Sequence, residues 1–163
     1  MKVFNGIAFS MLAAAALWLA APAASIAEPV VYQIDQAHSQ VIFKVKHLGI
    51  SNVTGRFDIF EGNYTFDPDN DANSKVEATI SAASVNTNEA DRDKHLRSDE
   101  FLNVEKHPNI TFKSKSVKKD AGDSDDYTIV GDLTINGVTK EVELDAEYGG
   151  KTTDPWGNEY SSE

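Results

Sequence analysis

The chain has 163 residues, with 26 acidic against 15 basic side chains and a formal net charge of -11 at neutral pH. A surface that acidic repels nucleic-acid phosphates and anionic lipid head groups, which argues against nucleic-acid binding and polybasic membrane docking; its plain use is solubility. Cysteine is absent, which excludes thiol catalysis, zinc–thiolate centres and disulfide support and leaves the hydrophobic core to hold the fold.

At the N-terminus Lys2 supplies a short positive region, Ile7 to Ala21 an apolar run, Pro22 a helix break, and Ser25 and Ala27 the small residues of a cleavage site. This is the grammar of a secretory signal peptide over residues 1–27, so export with cleavage after Ala27 is expected. The apolar run is long enough for an uncleaved anchor, but its alanine content and Ser-Ile-Ala end favour cleavage. Residues 28–163 then make one domain with a single core and no membrane span. Loss of Lys2 leaves it more acidic still.

From there the sequence alternates apolar and polar residues with the period of two of half-buried strands. In residues 40–48 Val41, Phe43, Val45 and His47 share one face, with Lys44 and Lys46 on the other. Val53, Gly55, Phe57 and Ile59 follow as one face against Thr54, Arg56 and Asp58, and Gly62 punctuates before Tyr64 and Phe66. Asp67-Pro68-Asp69-Asn70 is a turn by its chemistry. Residues 75–85 form a strand with Val76, Ala78 and Ile80 inward.

Residues 88–103 break the pattern: helix formers and no β-branched run predict one or two helical turns inserted between strands. A strand over 109–117 points Ile110 and Phe112 inward, and residues 118–126 are a polar loop. Tyr127, Ile129, Gly131, Leu133 and Ile135 then alternate up to Asn136-Gly137, and Val138, Val142, Leu144, Ala146 and Tyr148 alternate away from it. Asn-Gly between two such runs predicts a type I′ hairpin. Outward positions from Thr139 to Glu147 are polar, so this strand has one wet and one dry face. The fold class is therefore all-β and antiparallel, closed either as a sandwich or as a barrel.

Candidate chemistry is sparse. His38, His47, His95 and His107 show neither metal-helix spacing nor a flanking carboxylate loop, and no nucleophile elbow, phosphate loop or EF-hand occurs. Arg92-Asp93-Lys94-His95-Leu96 is the densest polar cluster. An acid–base pair of Asp93 and His95 would need them to face each other, whereas helical positions two apart diverge. The alternatives are a helix whose Leu96, Phe101 and Leu102 plug the core, or a polar rim at a pocket mouth.

The blocks AHSQVIFKVKHLGISNVTGRF, VEATISAASVNTNEADRDKHLRSDEFLNVEKHPNITF, GDLTINGVTKEVELDAEYGG and DPWGNE together resemble the YceI family of periplasmic, lipocalin-like proteins. That resemblance implies a periplasmic antiparallel β-barrel around an elongated apolar tunnel that binds a polyisoprenoid or quinone-like lipid, with no catalysis and no cofactor besides that ligand. It implies a lining of Val41, Phe43 and Val45, with His47 near the end, followed by Phe57 and Ile59. Arg92, Asp93 and His95 would meet the head group, and alternation adds Phe112, Leu133, Val142 and Leu144. The family pattern continues past DPWG with further strand, so a C-terminal strand is expected to be missing from a sequence that stops at Glu163. An enzyme acting on such a lipid through His95 and Asp93, and a structural protein with a filled core, are the competing readings. A homodimer is an assembly the sequence leaves open.

Overall fold

The computed structural model describes residues 30–67, 70–122 and 125–162. The expected signal peptide, the Pro68-Asp69 centre of the turn and Asp123-Ser124 of the polar loop lie outside them. Among the described residues no helix is long and apolar enough to cross a membrane.

Among the described residues eleven strands and one α-helix follow in chain order: β1 Val31–Gln33, β2 Val41–His47, β3 Ser51–Phe57, β4 Phe60–Thr65, β5 Lys75–Ser81, β6 Val85–Asn86, α1 Ala90–Arg97, β7 Asn109–Lys119, β8 Asp126–Ile135, β9 Val138–Glu147, β10 Gly150–Thr153 and β11 Glu159–Ser162. They form a six-stranded sheet in the order β1-β4-β5-β7-β8-β9, a three-stranded sheet β2-β3-β6, and the hairpin β10-β11. Every strand pair is antiparallel. The protein is mostly β, as its period-two pattern predicts.

Barrel closure is the point of departure. The outer strands of the large sheet, β1 and β9, do not pair with each other or with the three-stranded sheet. Among the described residues the sheet is therefore open.

Two corners explain where strict alternation fails. Beyond Phe57 the chain leaves the small sheet at Asp58, whose N–H donates to the Ser84 carbonyl while its carboxylate takes Arg56 Nε at 2.6 Å and Asn86 Nδ2 at 2.8 Å. The pleat restarts at Phe60, so Phe60 is buried and Ile59, assigned inward by continuing the alternation, is 60% exposed. The strand expected over 75–85 likewise ends at Ser81, where a 3-10 turn at Ala82–Ser84 carries the chain across to β6. In β7 the register shifts between Ser114 and Ser116. This bulge moves the buried face from Ile110 and Phe112 to Val117, because one extra residue inverts the parity of a pleated strand.

The main core lies on the inner face of β7 and β8, where Phe112, Val117, Tyr127 and Ile129 are buried beneath Phe66, Val76, Ala78, Leu133, Val142, Ala146 and Tyr148. Its Phe66 ring stands edge-on to Tyr127 at 5.3 Å and lies 4.3 Å from Tyr148. The β8–β9 turn is type I′ as predicted: Asn136 and Gly137 take φ of 47° and 73°, which L side chains other than Asn rarely adopt.

Candidate functional site

The expected lining divides into three groups. Phe112, Leu133, Val142 and Leu144 lie on the inner face of the six-stranded sheet, where the pairs Phe112–Leu133, Gly131–Val142 and Ile129–Leu144 set the register. Phe112 is buried, its ring lying across Gly131 so closely that a Cβ there would meet Phe112 Cζ at 2.5 Å. Leu133 and Val142 are half-buried, and Leu144 is 40% exposed. Exposure rises toward β9 because that strand is an open edge. Ile129, Gly131, Leu133, Val142, Leu144 and Ala146 thus form an apolar strip that is packed at β8 and part-open at β9.

A second group sits on the three-stranded sheet. Val41, Phe43 and Phe57 are half-buried, with the Phe43 and Phe57 rings 5.4 Å apart and Phe43 laid over Gly55. Val45 and His47 continue this face outward and are exposed. Only two residues of β6 flank β3, at Arg56–Asn86 and Phe57–Val85, so among the described residues no third strand pairs with the distal hairpin.

The third group, on α1, is built as an anchor. The helix starts at Glu89, whose carboxylate accepts from the Asp91 and Arg92 N–H groups, offsetting donors a first turn leaves unpaired. Asp93 is only 7% exposed and accepts from the N–H of Thr87 at 2.9 Å and its hydroxyl at 2.5 Å. Arg92 donates to the Thr87 hydroxyl at 2.7 Å and the Thr87 carbonyl at 2.9 Å. Arg97, not singled out in the sequence, donates to the carbonyls of Ala83 and Val85 at 2.7 and 2.8 Å. His95 turns away to Glu100 at 2.8 Å and stands edge-on to Phe101. The acid–base pair of Asp93 and His95 is therefore not formed; Arg92, Asp93 and Arg97 clamp the helix to the 83–87 segment. No group of three His, Asp or Glu side chains gathers as metal ligands among the described residues.

Among the described residues no enclosed tunnel is formed. A small apolar crevice of about 50 Å³ lies between Tyr64, Phe66, Val76, Val117, Tyr127, Ile129, Ala146 and Tyr148, room for only a few waters. A larger open cleft of about 760 Å³ runs between β1 and the β10–β11 hairpin. There the Tyr32 and Tyr64 rings stack at 5.2 Å, the Tyr64 hydroxyl donates to the Ser161 carbonyl at 2.9 Å, and Lys151 Nζ sits 5.4 Å from the Tyr32 ring centroid. The Tyr32 phenol, aided by Tyr148 and Glu159, holds the Lys151 ammonium above its ordinary pKa against some desolvation, though Tyr32 and Lys151 do not meet at full hydrogen-bond geometry. Sequence reasoning missed this cleft because neither β10 nor β11 carries an apolar alternation. The alternation of Val30, Tyr32 and Ile34 is the signal that would have found Tyr32, which is buried between exposed Val31 and Gln33.

The YceI-like domain family matches residues 32–161. The chain belongs to the YceI family. It is 51% identical over 153 residues to a UPF0312 protein of Pectobacterium atrosepticum, covering 93% of this chain and 73% of that one. A solved YceI protein of Campylobacter jejuni is 42% identical with a TM-score of 0.61, covering 78% of this chain and 74% of the other. A polyisoprenoid-binding domain from Saccharophagus degradans, implicated in plant cell wall breakdown, shares the fold at 17% identity and a TM-score of 0.52, over 74% of this chain and 68% of that domain.

Proposed function

We propose that this YceI-family protein is a non-catalytic, periplasmic lipid-binding protein that holds a long-chain isoprenoid or quinone-like lipid along the inner face of its large sheet, within a lipocalin-like barrel as the closed form. The observation that carries the reading is the strip of Leu133, Val142, Leu144 and Ala146, an apolar face left part-open at a sheet edge. Apolar surface in that position is costly unless something covers it. The fold's use in a polyisoprenoid-binding domain supports the ligand class. Each five-carbon isoprene unit withdrawn from water contributes about 4 kcal/mol before ordering costs, so an aliphatic lining suffices without special polar chemistry. Export through residues 1–27 would place the protein where such lipids move between membranes; carriage and storage both fit this chemistry.

The test is extraction and mass spectrometry of lipid that copurifies with the protein and with Leu144→Asp. A carboxylate at this half-exposed position leaves the fold standing and puts a charge against the hydrocarbon, so lipid content should fall by roughly tenfold or more. Equal lipid in folded Leu144→Asp and in the parent protein overturns the assignment.

A further inference from the structure

The β2–β3 hairpin ends in Leu48-Gly49-Ile50, with the Ile50 N–H donating to the His47 carbonyl at 3.2 Å. Leu48 is 80% exposed and Ile50 88%. Leu48 also has φ of 51°, left-handed backbone that favours Gly or Asn and costs a bulky side chain about 1 kcal/mol or more. A strained position that would accept Asn instead presents an isobutyl group to solvent, a combination that neither packing nor solubility explains.

The charge around this tip inverts that of the whole molecule. No acidic residue stands between Asp35 and Asp58, in a chain that has 26 acids. Within that stretch Lys44 and Lys46 point outward from β2 and make no ion pair among the described residues. Fixed charges are felt over about 10 Å at 0.1 M salt, and a strand advances about 3.4 Å per residue. On that scale the Lys46 backbone lies about 7 Å from Leu48, inside one screening length, and the Lys44 backbone about 14 Å away, which its long side chain shortens; an object meeting the tip end-on therefore feels Lys46 most and Lys44 less, beside two bare aliphatic side chains.

From these observations we infer that the β2–β3 tip is a membrane-docking element, in which Leu48 and Ile50 enter the interfacial layer of an anionic phospholipid bilayer while Lys44 and Lys46 meet its phosphates. The net charge of -11 does not prevent this, because the acids lie elsewhere and are screened; it keeps the remainder of the surface off the bilayer and so orients the molecule. Apolar side chains flanked by basic ones are the combination that seats soluble proteins at such interfaces.

Flotation with vesicles tests it, using the chain from Glu28 onward, which contains every described element and lacks the apolar N-terminal run. This protein should float with phosphatidylcholine vesicles containing phosphatidylglycerol, release as salt rises toward about 1 M, and stay behind with phosphatidylcholine alone. Leu48→Asn with Ile50→Asn should weaken flotation by roughly tenfold or more while the melting temperature holds or rises, since Asn relieves the left-handed strain. Lys44→Glu with Lys46→Glu should weaken it by a similar factor on the anionic vesicles, at about fivefold per lysine lost. Trp156, 84% exposed in the β10–β11 turn, is the rival apolar contact. The inference is overturned if the parent protein does not float, if either folded double variant floats as the parent does, or if Trp156→Ser alone abolishes flotation. Sedimentation velocity decides the rival occupant: a dimer that Leu48→Asn with Ile50→Asn converts to monomer assigns the tip to a second copy and also overturns it. None of these readouts depends on a bound lipid, so the docking surface and the lipid site fail separately.

Discussion

Replacing Asp93 with alanine separates a structural role from a head-group role for the polar cluster on α1. Asp93 and Thr87 are both buried, at 7% and 5% exposure. The carboxylate takes both donors of Thr87, and the same Thr87 hydroxyl accepts from Arg92. Alanine strands the Thr87 N–H in the interior at about 1–3 kcal/mol and removes charge-assisted bonds worth about 1.5–3 kcal/mol each. Allowing for relaxation and for the Arg92 contacts that remain, a loss of about 3 kcal/mol is expected. Asn retains one acceptor oxygen and should lose about 1 kcal/mol. With a urea slope of about 1.5 kcal/mol per molar for a small domain, Asp93→Ala should unfold at roughly 2 M less urea. Thr87→Val in the same chain should add little to the Asp93→Ala loss, because the two groups act as one unit. An unchanged urea midpoint together with loss of copurifying lipid would refute this and return Asp93 to the ligand.

Gly131→Ala tests the packing of Phe112, since the new methyl would meet Phe112 Cζ at 2.5 Å and the Lys113 carbonyl at 2.6 Å; a thermal melt should show a loss of about 2 kcal/mol. Phe112→Leu in the same protein should restore only part of it, because the backbone carbonyl stays. Asp154 organises the β10–β11 turn by accepting from the Trp156 and Asn158 N–H groups and from Asn158 Nδ2. The Asn158 side chain first, and the neighbouring backbone N–H groups after it, hold the Asp154 carboxyl below its ordinary value. A depressed acid stabilises above the ordinary carboxylate range and loses that effect as pH falls through its own lower pKa. Amide resonances of Trp156 and Asn158 should therefore hold position until below the ordinary aspartate range; movement at that range or above it contradicts the assignment.

Much of this architecture is legible from period and turn chemistry. Tyr127 to Ile135, Asn136-Gly137 and Val138 to Tyr148 read correctly because an inward face, an outward face and a demanding turn all agree. Ile59 misreads because the chain changes sheet at Asp58, held by bonds to Arg56, Asn86 and Ser84, which no local period encodes. Lys115 hides in the same way the bulge that moves the buried face to Val117. In the candidate site, the residues of the apolar strip follow from alternation, but how far each is covered depends on β9 being an edge, a property of topology alone. Arg92 and Asp93 stand out in the sequence as charges beside apolar neighbours. Their partner is Thr87, five and six residues earlier and unremarkable by itself, so the sequence shows the charges but not the clamp they make.

Native mass spectrometry of the exported, gently purified protein tests the lipid-binding account most directly. The account expects the polypeptide to carry one bound hydrocarbon-chain lipid, released on activation at a mass that fits a prenyl series, and expects Leu144→Asp to fly bare. Bare polypeptide for both proteins, from cells rich in isoprenoid lipids, would contradict it.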